Sequence, residues 1–202
     1  MIINVRGTGG SGKSTLVRQV MARYPHVEPE FILGRKRPIG YVCARAGFPD
    51  LYVIGSYETP TGGCDTIGTP AQAFAIVDER ARQGDDVLFE GIIVQDSLRR
   101  LIELNQAHAG VVVVFLNVPL DVCLASIATR RIERGTVKAL NPRNTTNRAR
   151  TVERSMAKIA AAGITNHWAG REEALAICLD VLGFAPDAPP VPQQQETEFR
   201  LQ

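Results

Sequence analysis

At 202 residues, with a hydrophobic fraction of 45% and a charged fraction of 22%, the chain is long enough for one α/β domain with a proper core and too short for two large ones. A formal net charge of +2 excludes a nucleic-acid binder recognisable by composition alone, although an average can conceal a basic face. Cys43, Cys64, Cys123 and Cys178 have no C-x-x-C spacing and the three histidines do not cluster with them, which argues against a zinc site and for reduced thiols in a cytosol-like compartment.

The chain opens on Met1-Ile2-Ile3-Asn4-Val5, a predicted core strand. No basic leader, cleavage pattern or membrane-length apolar stretch goes with it, so we expect a soluble, non-secreted, cytoplasmic protein with no membrane partner. Directly behind the strand, Gly7-Thr8-Gly9-Gly10-Ser11-Gly12-Lys13-Ser14 fits the P-loop pattern G-x-x-x-x-G-K-[ST], and it runs into the helix-like Ser14-Thr15-Leu16-Val17-Arg18-Gln19-Val20-Met21. The glycines let consecutive N–H groups fold inward around a phosphate, where side chains would obstruct and positive φ must be cheap. The helix start adds unpaired N–H groups and the positive end of its dipole. Gly7, Thr8, Gly9, Gly10, Ser11, Gly12, Lys13, Ser14 and Thr15 are therefore the expected nucleotide cradle. Lys13 should reach the β- and γ-phosphates, and the Ser14 hydroxyl should hold Mg²⁺.

Pro25 and Pro29 end the first helical pattern. Two β-like runs, residues 39–44 and 51–57, flank the turn-like Arg45-Ala46-Gly47-Phe48-Pro49-Asp50 and predict an antiparallel hairpin, which a plain parallel core does not need. The Gly-, Thr- and Pro-rich stretch Glu58 to Pro70 reads as a surface loop suited to substrate handling. A helix follows from Ala71 to Gln83, ended by Gly84. Asp86-Val87-Leu88-Phe89-Glu90-Gly91 is a buried strand ending in a carboxylate, with a helix through Leu98, Leu101 and Ile102 behind it. The continuous apolar run Val111 to Asn117 suits a central strand buried on both faces. Pro119 leads a helix to Arg130-Arg131. From Arg130 to Arg154 the chain carries Arg130, Arg131, Arg134, Lys138, Arg143, Arg148, Arg150 and Arg154 against Glu133 and Glu153, interrupted at Asn141-Pro142-Arg143-Asn144. Thr145 or Thr146 is the expected cap of the next helix, to Ala162. A short strand at 163–168 and a helix at 171–182 finish the core, and the Pro- and Gln-biased 186–202 is expected to be a disordered tail.

Strands alternating with helices imply an α/β fold, with a mostly parallel sheet covered on both faces and the ligand beyond the carboxyl ends of its strands. That order puts Gly7 to Ser14, Glu90 and Asn117 on one rim.

The P-loop, Phe89-Glu90-Gly91, the segment Leu116-Asn117-Val118-Pro119-Leu120-Asp121 leading into Arg130-Arg131, and the basic stretch behind it together resemble the thymidylate-kinase-like branch of P-loop kinases. More narrowly, Gly34-Arg35-Lys36-Arg37-Pro38-Ile39-Gly40-Tyr41, the loop Ile54 to Asp65 and Asn144-Thr145-Thr146-Asn147-Arg148 are similar to bacteriophage 5-hydroxymethyluracil DNA kinases. The resemblance implies a three-layer P-loop kinase domain over 1–184, with a hairpin insertion at 35–57, a basic helical LID-like segment at 130–154 and a tail at 185–202. It further implies ATP and Mg²⁺ as cofactors, and transfer of the γ-phosphate to the hydroxymethyl group of 5-hydroxymethyluracil within DNA, a step in thymidine hypermodification. The partner would be DNA containing a modified pyrimidine, met in the host cytoplasm.

Phosphoryl transfer needs a phosphate cradle, a metal, mobile arginines and a carboxylate near the acceptor hydroxyl. Arg130, Arg134 and Arg148 are the preferred arginines, because a forked guanidinium matches phosphate oxygens; a solvated helix face or contacts to a DNA backbone would use the same residues otherwise. Glu90 could orient metal-bound water or take the acceptor's proton, or be a merely structural carboxylate. Asp65 is the rival base, with an Asx-turn as its structural alternative. We assign Asp65 as base and Glu90, with Ser14, to the metal, since a loop on the acceptor side better meets an incoming hydroxyl. Tyr41, Tyr52 and Tyr57 could stack on a base or lie half buried in strands; Cys64 has no role a kinase needs; His167 and Trp168 could support the nucleotide pocket. Arg35, Lys36, Arg37 and Arg45 on the extra hairpin would grip DNA phosphates. A small-molecule or nucleoside monophosphate kinase, and an ATPase module with water as acceptor, stay open at this point, although the strand before Glu90 lacks the usual Walker B aspartate.

Overall fold

Strands with no solvent face form the centre of the sheet. β1 (Ile2–Arg6) and β6 (Val111–Leu116) are buried at every position, as strands covered by helices on both sides must be. The computed structural model describes residues 1–59, 62–91, 97–108, 110–136, 141–185 and 189–191. Pro60, Thr61, Lys138 and most of the expected tail lie outside the described residues.

Preceding β6 in the chain are β2 (His26–Glu30), β3 (Gly40–Ala44), β4 (Leu51–Ile54) and β5 (Asp86–Glu90); β7 (Thr165–Ala169) follows it. The sheet order is β2-β3-β4-β5-β1-β6-β7. β4, β5, β1, β6 and β7 run parallel, and the register Val5↔Glu90 and Val5↔Val114 puts the end of β5 beside the end of β1. β3 is antiparallel to β4 and β2 to β3. The expected pairing of 39–44 with 51–57 is therefore present. β4 does more than the sequence suggested, because it also docks parallel on β5 and so belongs to the core.

β2 was not expected, since Pro25 and Pro29 read as breakers. An edge strand tolerates a residue without an N–H, and Pro29 sits on that edge, opposite Tyr41. The strand is held by side chains. Glu30 takes a hydrogen bond from the Tyr52 hydroxyl and pairs with Arg80 at 2.5 Å, whose guanidinium lies 3.9 Å from the Tyr52 ring centre.

Among the described residues, six helices complete the layers: α1 (Lys13–Met21), α2 (Pro70–Gln83), α3 (Ser97–Ala107), α4 (Leu120–Glu133), α5 (Pro142–Ala161) and α6 (Arg171–Val181). Alternation along β1 divides the core. Ile3 and Val5 join Val17, Leu88, Val114 and Cys178 under α1 and α6, whereas Ile2 joins Phe74, Leu101, Val113, Phe115 and Ile159 under α2, α3 and α5. This is a three-layer α/β/α arrangement, as the strand and helix order required.

The cap of α5 is Asn141, whose side chain accepts from the Arg143 amide at 3.0 Å with Pro142 in the first turn. The helix thus starts a turn before Thr145 and Thr146, because Asn followed by Pro already supplies both cap and fixed φ. Of the expected tail, Val191 donates its amide to the Ala22 carbonyl at 3.0 Å.

Candidate active site

β1 delivers the chain to the rim, and the loop 7–12 turns it back into α1. Gly12 caps α1 in the left-handed region (φ 103) with no side-chain cap, so the first N–H groups of the helix are offered to a ligand. A Cβ on Gly10 (φ 83) would stand 2.3 Å from the Cys123 carbonyl oxygen; no side chain fits between loop and α4. Lys13 Nζ donates to the carbonyls of Gly7 at 3.0 Å and Thr8 at 3.2 Å. Burial pulls the Lys13 pKa down, against the opposing fields of Glu90 and Asp65. Its ammonium is thus held, partly desolvated, at the mouth of the loop.

Across from Lys13, Ser14 Oγ donates to Glu90 Oε1 at 2.7 Å. Glu90 is only 5% exposed. Burial raises its pKa, while the Ser14 hydroxyl and Lys13 oppose the rise. Its Oε2 is buried and has no partner among the described residues, an orphan that native structures seldom leave without a reason. The loop after β4 closes directly on this carboxylate: Gly63 (φ 80) approaches so near that a Cβ there would be 2.1 Å from Glu90 Oε1. The short 3₁₀ turn Cys64–Thr66 follows. Thr66 Oγ1 donates to the Gly63 carbonyl at 2.7 Å and accepts from the Ser56 amide at 3.0 Å, fixing the turn that carries Asp65.

A groove of about 1420 Å³ runs between these parts, with Lys13, Ser14, Asp65, Glu90, Arg130 and Arg148 in its wall. That exceeds the space one small ligand needs, leaving room for a nucleotide and an acceptor end to end. Gly7, Gly9, Gly10, Gly12 and Thr15 also line it; Thr8 and Ser11 are buried behind the loop. Arg134 stands at the exposed C-terminal cap of α4, outside the wall. Asn117 is likewise off the wall, as are His167 and Trp168, whose indole packs 6.1 Å from Phe115.

The tyrosines do not face the groove. Tyr41, Tyr52 and Tyr57 are 8%, 1% and 6% exposed, and the Tyr41 hydroxyl accepts from the Tyr57 amide at 3.0 Å, which removes the base-stacking option for them. Cys64 is buried, and its thiol is pushed up by burial, so it stays protonated and inert. Arg45 is also spent elsewhere. Its guanidinium lies 3.5 Å from the Phe48 ring centre and 3.8 Å from that of Phe184, and it donates to the Leu182 carbonyl.

Two arginines of the wall carried no motif. Arg171, first residue of α6, donates from Nε to the Ser11 carbonyl at 2.9 Å and lies over Gly12. Arg18 donates to the carbonyls of Tyr57, at 3.1 Å, and Thr59, tying α1 to the loop after β4. Arg18 was detectable, because it falls four residues after Ser14 on the same helix face. Arg171 was not, since only the fold brings α6 to the P-loop.

These features fit a triphosphate and a hard cation. The uncapped helix start, the cradle at Gly10 and the lysine resting on carbonyls suit an anion, while a serine hydroxyl beside a carboxylate with one oxygen unpartnered among the described residues suits a cation that prefers oxygen donors.

Comparison with known proteins supplies the remaining findings. The family described as 5-hmdU DNA kinase matches residues 1–152. A 5-hmdU DNA kinase of Pseudomonas phage PaMx11 is 39% identical over 164 residues, covering 81% of this chain and 87% of that one. Its counterpart from Pseudomonas phage M6 is 36% identical over 178 residues, covering 82% and 90%. Among solved structures, deoxyadenosine kinase from M. mycoides with bound dATP aligns with a TM-score of 0.48 at 12% identity, over 90% of this chain and 99% of that one.

Proposed function

We propose that this chain, which belongs to the 5-hmdU DNA kinase family and is thus an ATP-dependent phosphotransferase, phosphorylates the hydroxymethyl group of 5-hydroxymethyluracil within DNA. The observation that carries the reading is that one groove has Lys13, Ser14, Glu90 and Asp65 together in its wall.

In this reading the P-loop amides and Lys13 hold the β- and γ-phosphates, and the acceptor enters from the side of the Cys64–Thr66 turn. Asp65 accepts the hydroxymethyl proton as that oxygen forms its bond to the γ-phosphorus; the bond from the γ-phosphorus to the bridging oxygen breaks, and ADP leaves with the electron pair. Ser14 and Glu90 would hold Mg²⁺, which supplies charge neutralisation on the phosphates when bound. Two features support the division of labour. Glu90 is buried and already shared with the Ser14 hydroxyl, while Asp65 is exposed on the wall where a hydroxyl can arrive. Arg130 and Arg148 neutralise developing charge from the wall, and Arg134 would join them only if the 130–154 segment closes as a LID over the domain 1–184.

The test is a side-by-side assay with labelled ATP and Mg²⁺ on DNA containing 5-hydroxymethyluracil, the corresponding free nucleotide and water. Label in the modified DNA, absent from unmodified DNA, is expected. Label confined to the free nucleotide, or release as inorganic phosphate alone, overturns the reading in favour of a small-molecule kinase or an ATPase.

A further inference from the structure

An enzyme that acts on a base within a duplex must bring that base out of the stack, and something must occupy the gap. Strand direction points to where such an element stands. β4 runs parallel to β5, so its end at Ile54 lies on the rim that carries Glu90; β3 runs the other way and β2 back again. The connection between Glu30 and Gly40 therefore emerges on the active-site rim, while the turn 45–50 lies at the opposite one.

That connection is well held at its root and unusual at its tip. Ile39 donates its amide to the Glu30 carbonyl at 2.8 Å, and Glu30 itself is fixed by Tyr52 and Arg80. The tip is a turn, with the Arg35 amide donating to the Ile32 carbonyl at 3.1 Å and Gly34 in the left-handed region (φ 84). Leu33 is at its apex, 106% exposed; Phe31 and Ile32 beside it are 52% and 47% exposed. Three large apolar side chains in succession, all in water, are a liability unless they meet a partner. After Gly34 come Arg35, Lys36 and Arg37, the last two exposed. Arg35 donates to the Thr66 carbonyl at 2.7 Å, which fastens this tip to the turn bearing Asp65.

We propose that the tip Phe31-Ile32-Leu33 is a wedge that enters the base stack of duplex DNA beside the target nucleotide, with Lys36 and Arg37 on the flanking phosphates. Apolar side chains inserted between base steps, with cations alongside, are how proteins unstack and bend a duplex, and the positive neighbours select a polyanion over an apolar protein surface. The inference rests on the DNA-level reading above. Leu33 supplies the inserted side chain, and the Arg35 anchor sets the distance between the gap and Asp65.

The test compares wild type, Leu33→Ser and the double variant Lys36→Ala, Arg37→Ala on a duplex oligonucleotide bearing one 5-hydroxymethyluracil, on the same strand alone, and on the free nucleotide. Because Leu33 is in solvent, Leu33→Ser leaves the fold intact. It is expected to lower kcat/KM on the duplex by about 10-fold, with the single strand and free nucleotide changed by less than about twofold. The double variant should flatten the salt dependence on both DNA forms by about two charges. Equal loss on duplex and strand, or no loss on the duplex, overturns the wedge. Wild type that labels the free nucleotide but not DNA overturns the DNA-level reading and the wedge together, whereas wild type that labels DNA as well as Leu33→Ser does overturns the wedge alone. Sedimentation of both proteins gives the last arm: a smaller mass for Leu33→Ser assigns the patch to a second copy of the chain and also overturns the proposal.

Discussion

The two sides of the groove are built on different principles. On the side proposed for the nucleotide, one continuous stretch from β1 through the loop to α1 supplies the glycine loop, Lys13 and Ser14, and short-range geometry does the positioning: an uncapped helix start and glycines where a Cβ would collide. On the acceptor side nothing is continuous. Gly63 presses on Glu90 from the loop after β4, Thr66 is braced by Ser56 and by Arg35, and Arg18 reaches over from α1. A site assembled from contiguous residues resists change in the rest of the fold; one assembled from distant residues depends on every contact that sets its spacing.

Lys13→Ala separates the sides most sharply. Transfer should fall by about 10³-fold or more if, as proposed, this cation serves the transferring phosphate directly. Stability should move the other way. Burial depresses the Lys13 pKa in the folded state, so the charged amine costs folding free energy at every pH below its folded pKa, and the unliganded variant should melt no lower than wild type at pH 7. Calorimetry without nucleotide beside a transfer assay checks both halves; a large fall in Tm would mean that Lys13 holds the fold rather than the phosphate.

Asp65→Asn tests the acceptor side. A drop in kcat of about 10²-fold is expected with the KM for ATP nearly unchanged, and steady-state kinetics on modified DNA measures it. Normal turnover would move the base to Glu90.

Glu90 lies between the two sides, and Glu90→Gln should raise the Mg²⁺ concentration for half-maximal rate by about 10-fold. Its pH behaviour gives a second reading. Because burial raises the folded pKa of Glu90, the wild-type carboxyl contributes stability below the ordinary carboxylate range and loses it as pH rises through the folded value. Glu90→Gln, which mimics the protonated form, should flatten that part of the Tm profile between acid and neutral pH. An unchanged profile would show that the Ser14 bond has already offset the cost of burial.

The smallest effect belongs to Arg45→Ala. Loss of its stacking on Phe48 and Phe184 should lower Tm by about 2–4 °C, roughly 1 kcal/mol, without altering the salt dependence of DNA phosphorylation. A changed salt slope would return Arg45 to the DNA contacts suggested by its place in the sequence.

Amino-acid order alone determined the nucleotide half of this protein. Strand, glycine loop, Lys13-Ser14 and helix are neighbours in the chain, so their pattern and their geometry are the same fact, and the apolar runs at 87–89 and 111–116 read as central strands. Tertiary structure decided the rest, because it turns on which distant segments meet. It made Pro29 part of an edge strand, withdrew Tyr41, Tyr52 and Tyr57 into the core, spent Arg45 on Phe48 and Phe184, and brought Arg171 to Ser11 from 160 residues away. A side chain's type records what it can do; only packing fixes what it is left free to do, since burial, partners and desolvation are properties of the assembled neighbours and not of the residue.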